Sequence, residues 1–111
     1  MRDNMQNNNL YSYTKAKVES LTKNLLVIKR DGRVVKFDAE KIYNVIEKAV
    51  HSVFGKNHSV NINGIVDNVI LEIANRFKEN IKIYELQNVV EHKLLTLGEE
   101  AIYEEYVGYR S

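Results

Sequence analysis

The chain has 111 residues, a length that fits a single domain with one modest core. Sixteen lysines and arginines nearly balance fifteen aspartates and glutamates, so no overall field of either sign directs the protein to nucleic acid or to a membrane. The absence of cysteine excludes disulfides, cysteine zinc ligands and thiol chemistry.

The first 22 residues form a polar lead-in. Four of its first nine residues are asparagine, and the segment has no apolar periodicity that a core would use. We therefore expect residues 1–22 to be a disordered tail and residues 23–111 to form the folded domain. Tyr11, Tyr13 and Val18 are the residues through which part of the tail would dock.

The first ordered feature is a predicted β-hairpin. The dipeptide Asp31-Gly32 lies between two runs of strand-forming residues, which is a strong signal for a two-residue type I′ turn. Such a turn pairs Arg30 with Arg33 and Ile28 with Val35. The face expected to contact the core consists of Leu26, Ile28, Val35 and Phe37. The opposite face is expected to carry Val27, Lys29, Val34 and Lys36.

Helical periodicity dominates the next part of the chain. Asp38 is a suitable N-cap for a helix that Gly55 ends, and a second helix is predicted over about 63–77. The alternating residues 81–83 predict a third strand, whose partner the sequence does not determine.

Two further helices are predicted at the end of the chain. They extend over about 85–95 and about 99–109, separated by Gly98. Because helices cannot bury their apolar stripes alone, we expect an α+β fold. Its form would be a four-helix bundle capped by a small three-stranded sheet, made of the hairpin and one short strand.

One face of the hairpin has the character of a binding surface. Val27 and Val34 form an apolar patch beside Lys29 and Lys36, and Arg30 and Arg33 are like charges expected to face each other. Lys41 follows in the first helical turn, where backbone N–H groups attract phosphate.

This pattern suits a ligand with a flat base and a charged tail, and it also suits an ordinary solvated edge strand. A nucleic-acid backbone is disfavoured, because the chain has no long basic stripe.

Four segments together resemble the ATP-cone family. The run Leu25–Gly32 contains the V-x-K-R-D-G pattern, and Val35–Asp38 followed by Lys41-Ile42 is similar to the family's strand, F-D and K-I elements. Ile83–Leu95 resembles the third-helix segment, and Ala101–Arg110 resembles the closing A-x-x-Y-x-x-Y-R pattern. The resemblance covers about residues 25–110.

The resemblance implies a site for ATP or dATP, with Mg²⁺, between the hairpin and the bundle. Val27 and Ile42 would lie against the base, and Lys29, Arg30 and Lys41 would hold the phosphates. The remaining nucleotide-binding positions that it implies are Val35, Asp38, Ile83, Leu86 and Gln87. Tyr109 has two interpretations, a neighbour of the base or an aromatic residue of the core.

The resemblance also implies a function. ATP-cones control ribonucleotide reductase, which ATP activates and dATP inhibits through an oligomer. The chain would be the N-terminal domain of a reductase subunit, with the rest of that subunit and its partner subunit as partners, and would not be a catalyst itself. Two alternatives are the cone of a transcriptional repressor of reductase genes and a plain protein-interaction module.

Other classes of site and location have little support in the sequence. His51, His58 and His92 lack metal-ligand spacing, so we expect no metal site and interpret them as ordinary histidines. The longest apolar runs, Leu25–Ile28 and Val69–Leu71, are too short to cross a bilayer. We therefore expect a cytoplasmic protein that contacts no membrane.

Overall fold

The computed structural model describes residues 16–110 of the chain. Its elements in chain order are α1 (residues 16–22), β1 (Leu26–Ile28), β2 (Val34–Lys36), α2 (Ala39–Phe54), α3 (Ile62–Arg76), β3 (Asn80–Lys82), α4 (Ile83–Thr96) and α5 (Glu100–Arg110). The predicted α+β class is confirmed.

Helices α2, α3, α4 and α5 form the bundle. Helix α2 packs against α5 and α3, and α4 packs against the same two helices, so the four helices make a closed ring. The apolar residues at helical spacing point into this ring. The largest side chains that are essentially fully buried are Ile46, Val50, Val69, Ile70, Ile73, Ile81, Val90, Leu94 and Ile102. The predicted four-helix core is thus present, with Ile81 of the sheet joined to it.

The helix ends follow local capping chemistry. Helix α2 begins after Asp38, whose Oδ1 accepts a hydrogen bond from the Glu40 amide at 3.0 Å, and it ends at Gly55 as predicted. Helix α4 begins at Ile83, two residues before the predicted start. The Glu85 carboxylate accepts from the Lys82 amide at 2.9 Å, which stabilises the earlier start and limits β3 to Asn80–Lys82.

The sheet has the order β2-β1-β3, with β1 in the centre. Strand β1 pairs antiparallel with β2 and parallel with β3, whose partner the sequence left open. One row of the sheet places Val35, Val27 and Ile81 side by side, and these residues are buried or half-buried.

The predicted register of the hairpin was wrong by one residue. Val27 pairs with Val35, and Ile28 pairs with Val34, because the loop has three residues and not two. Lys29 N–H donates to the Arg33 carbonyl at 2.8 Å, and Gly32 N–H donates back to the Lys29 carbonyl at 3.0 Å. Gly32 has φ of 89°, a conformation that completes this longer turn.

The slip of one residue exchanges the two faces of β1 relative to the prediction. Val27, expected on the outer face, is 5% exposed in the core. Leu26 and Val34 are 39% and 57% exposed on the outer face. The apolar patch expected from Val27 and Val34 therefore does not exist, and Val35 takes the place of Val34 beside Val27.

The structure also differs from the expectation for the end of the tail. Residues 16–22 are helical, and Val18 and Thr22 are buried, at 3% and 5% exposure. The Thr22 hydroxyl donates to the Val18 carbonyl at 2.8 Å and so satisfies its polar group inside the helix. Tyr11 and Tyr13 lie outside the described residues.

Candidate functional site

A cavity of about 140 Å³ lies between the hairpin, the first half of α2 and the start of α4. Its walls are mainly aliphatic, and Val27 and Val35 of the sheet line it together with Ile42 of α2. The other apolar residues that line it are Phe37, Val45, Ile83, Leu86, Val90 and Tyr106. A flat apolar group is the ligand that such walls accommodate best.

The polar groups of this cavity are mostly cationic. Lys29, Lys36 and Lys41 line it, together with Asp38 and Gln87. Lys29 and Ile83 also line an adjoining cleft of about 290 Å³ at the hairpin loop. The shared residues make the two spaces neighbours, so an apolar group in the cavity would have its charged extension next to the loop.

The adjoining cleft has its own pattern of charge. Arg30, Asp31 and Arg33 line it together with Lys29. Arg33 is engaged by Asp31: its Nε lies 2.7 Å from Asp31 Oδ2, and its amide donates to Asp31 Oδ1 at 3.0 Å. Hydrogen bonds from the Arg33 amide and guanidinium hold the pKa of Asp31 below its usual value. One of the two arginines that line the cleft is thus already paired with a carboxylate.

Arg30 spans from the hairpin loop to the bundle. Its Nη2 donates to Gln87 Oε1 of α4 at 3.5 Å, a long contact on the exposed side of the site. Arg30 and Arg33 therefore do not face each other as the predicted register required. The positive charge of Arg30 lies at the junction between the hairpin and α4.

The backbone fixes the positions of Asp38 and Lys41. Asp38 caps α2 through its side chain, and its carbonyl accepts from the Lys41 amide at 3.2 Å. The preceding residue, Phe37, donates its N–H to the Leu25 carbonyl at 3.0 Å. The end of the hairpin and the first turn of α2 consequently form one hydrogen-bonded corner of the cavity.

The structure brings the predicted site residues together. Nine of the ten line the 140 Å³ cavity, namely Val27, Lys29, Val35, Asp38, Lys41, Ile42, Ile83, Leu86 and Gln87. The tenth, Arg30, lines the adjoining cleft and contacts Gln87. Residues separated by up to 60 positions in the sequence thus surround one small space.

Tyr106 is a lining residue that was not among the predicted site residues. It is 5% exposed and closes the cavity from α5. Its position four residues after the buried Ile102 indicated burial but not contact with a cavity. Tyr109 does not line the cavity. It is 37% exposed, and the Lys48 ammonium lies 4.7 Å from the centre of its ring.

A second cavity, of about 420 Å³, lies between α1, the start of α2 and α3. Its charged residues are four carboxylates and one lysine: Glu19, Asp38, Glu40, Asp67 and Lys23. Partial burial raises the pKa of Asp67. A polyphosphate would be repelled by this set of charges, so the smaller, cationic cavity is the better candidate for an anionic ligand.

Comparison with known proteins identifies the family. The family model of the ATP cone domain matches residues 25–111. The chain belongs to the ATP-cone family. An ATP-cone is a nucleotide-binding regulatory domain without catalytic activity of its own. No match to the chain was found among curated proteins.

The matched residues of this ATP-cone include both strands of the hairpin and all four helices of the bundle. Helix α1 precedes the match, although Val18 and Thr22 are buried in the same core. Among the described residues, no helix has the length and apolar character needed to cross a membrane.

Proposed function

We propose that this ATP-cone binds ATP and dATP in the 140 Å³ cavity and thereby switches the activity of a ribonucleotide reductase. One observation carries the proposal: nine of the ten residues that the family resemblance implies surround one largely aliphatic cavity that lysines also line, and the tenth, Arg30, lines the adjoining cleft. A purine ring gains from contact with aliphatic carbon, and a triphosphate gains from clustered lysine and arginine.

In this proposal the base lies between Val27 and Ile42, with Leu86 on the side of α4. The triphosphate extends to Lys29, Arg30 and Lys41. The ammonium groups of the lysines act as mobile point charges, whereas the guanidinium of Arg30 offers a planar donor set to phosphate oxygens. Arg30 would exchange its long contact with Gln87 for a stronger, charge-assisted one.

Mg²⁺ enters the proposal together with the nucleotide. Within residues 16–110, no group of three or more His, Asp or Glu side chains is placed to hold a metal ion. The ion would therefore be held mainly by the phosphate oxygens and water, as is usual for Mg²⁺ in nucleotide sites.

The regulatory step requires a second arrangement of the molecule. ATP and dATP differ by one hydroxyl group, and they have opposite effects only if that group contributes differently to two arrangements. We propose that these are an active reductase and an inhibited oligomer, with the rest of the reductase subunit and its partner subunit as the proteins that are regulated.

Thermal unfolding with added nucleotide tests the binding. At a hundred times the dissociation constant, a bound ligand adds about 2.7 kcal/mol to the free energy of unfolding, which raises the melting temperature of a domain of this size by several degrees. We expect ATP and dATP with Mg²⁺ to stabilise the protein. The shift should be largely lost in Lys29→Ala and Lys41→Ala.

Lys56→Ala is the matched control, because Lys56 is an exposed lysine in the loop after α2 and lies outside the site. It should retain the full shift. An equal shift with GTP would indicate nonspecific anion binding, and the absence of any shift with ATP or dATP would contradict the proposed function.

A further inference from the structure

Helix α1 is attached to the same corner of the molecule that positions Asp38 and Lys41. Its buried Val18 and its neighbour Thr22 line the 420 Å³ cavity together with Phe37 and Asp38. Phe37 and Asp38 line the 140 Å³ cavity as well. These two residues therefore form a wall with the candidate nucleotide site on one side and α1 on the other.

A continuous chain of backbone hydrogen bonds connects the helix to this wall. The Thr22 carbonyl at the end of α1 accepts from Leu25 N–H at 3.0 Å, and the Leu25 carbonyl accepts from Phe37 N–H at 3.0 Å. The Asp38 carbonyl then accepts from Lys41 N–H at 3.2 Å. A displacement of α1 would thus loosen the corner that holds a candidate phosphate ligand.

The packing of α1 is also limited in extent. Of residues 16–22, only Val18 and Thr22 are buried, whereas Leu21 on the same helix is 50% exposed. Neighbouring carboxylates, such as Glu19 and Asp67, border the cavity under the helix. A short helix held mainly by one aliphatic side chain can dock and undock with a small free-energy difference.

We infer that the docking of α1 and the binding of nucleotide are coupled, so that each favours the other. This inference rests on the proposed function, because it concerns the regulation of the same site. The docked helix holds Phe37 and Asp38 in place and so orders the start of α2 before the nucleotide arrives. By reciprocity, a bound nucleotide that orders this corner favours the docked helix.

Through this coupling, nucleotide binding would change how firmly α1 is docked. The helix lies on the other side of the Phe37-Asp38 wall from the candidate nucleotide site. Whatever sequence is joined to the N-terminal side of α1 would experience the change in docking. The helix lies outside residues 25–111, which the family model matches, so this coupling would be an addition to the matched domain.

Calorimetric titration of two matched variants with ATP tests the inference. Val18→Asp places a carboxylate in the buried position and should undock α1, and Leu21→Asp introduces the same charge on the exposed side of the same helix. We expect Val18→Asp to weaken ATP binding by about fivefold or more, in line with typical coupling between sites. Leu21→Asp should bind as the unmodified chain does.

Hydrogen exchange of the unmodified chain provides a second readout that does not depend on a variant folding. The amides of residues 19–22 should exchange more slowly with saturating ATP than without it. Equal affinities for Val18→Asp and Leu21→Asp, or unchanged exchange in α1 while ATP binds, would overturn the coupling and leave the proposed function intact. If the unmodified chain binds no ATP, the proposed function itself fails.

Discussion

At the scale of single residues, Tyr106 has the most unusual environment among the lining groups. It is buried at the α5 side of the cavity, close to the ion pair between Glu91 of α4 and Arg110 of α5. Burial, and secondarily the charge of Glu91, raise the pKa of Tyr106 to about 12. The phenol is therefore neutral throughout the physiological range and offers the cavity an aromatic ring without charge.

The raised pKa of Tyr106 has a consequence for stability at alkaline pH. The folded state retains the phenolic proton up to about pH 12, whereas an unfolded chain loses it near pH 10. The contribution of the Tyr106 phenol to the free energy of unfolding is therefore fully present below pH 10. It is lost, by up to about 2 kcal/mol, as the pH rises from about 10 to about 12.

Tyr106→Phe should remove this part of the alkaline destabilisation, because phenylalanine keeps the buried ring and has no proton to lose. Urea unfolding at a series of pH values from 8 to 11.5 measures the effect. Tyr84→Phe is the control, since Tyr84 is 50% exposed. A Tyr106→Phe protein whose stability falls with pH as steeply as that of Tyr84→Phe would contradict the assignment.

At the scale of secondary-structure elements, the hairpin loop determines which side chains enter the site. The three-residue loop gives β2 the register that places Val35, and not Val34, beside Val27. This loop depends on Gly32, whose φ of 89° is unfavourable for residues with a side chain. A hairpin with a two-residue turn would pair Val27 with Lys36. Val27 and Lys29 would then lie on the face of the sheet opposite to Val35.

Gly32→Ala should lower the free energy of unfolding by about 1 kcal/mol or more and should also weaken nucleotide binding, because the strain falls on the loop that carries Arg30. A Cβ at this position meets no atom within 4 Å, so the effect would come from the backbone alone. Gly108→Ala, in the exposed part of helix α5, is the matched control. It should stabilise the protein by up to about 1 kcal/mol.

Urea unfolding and ATP titration of both alanine variants check these expectations. A Gly32→Ala protein that is as stable as the unmodified chain would show that the loop adopts another conformation in solution.

The same loop shows where sequence reasoning reaches its limit. Periodicity predicted all four helices of the bundle, because positions such as Ile46, Val69 and Val90 belong to sets of apolar residues that recur at helical spacing. Asp31-Gly32 identified the hairpin but not its register, because the dipeptide suits both a two-residue and a three-residue loop. The difference of one residue exchanged the predicted faces.

Helix α1 was missed for a different reason. Its burial depends on two side chains, Val18 and Thr22, spaced by one helical turn, which is too short a pattern to distinguish from a polar tail. Charge and strand alternation indicated a binding surface with Val27, Lys29, Arg30 and Lys41, whereas the full set of site residues was implied by the family resemblance. Tyr106 was therefore not predicted as a site residue. Its helical spacing from Ile102 indicates burial, but its contact with the cavity depends on how α4 and α5 pack.

At the scale of the whole molecule, the two cavities differ in electrostatic character. The 140 Å³ cavity has lysines at its mouth, and the 420 Å³ cavity is bordered mainly by carboxylates. A chain with nearly balanced total charge thus has mainly lysines around one of these cavities and mainly carboxylates around the other. This separation, and not the net charge, would direct a nucleotide to one side.

Titration of the ¹⁵N-labelled protein with Mg²⁺-ATP, followed by amide chemical shifts, tests the location of binding most directly. We expect the largest changes at Val27, Val35, Ile42 and Ile83 around the smaller cavity, with lesser changes in α1. The largest changes at Val66 and Ile70 of the acidic cavity, or no changes at saturating ATP, would contradict this expectation.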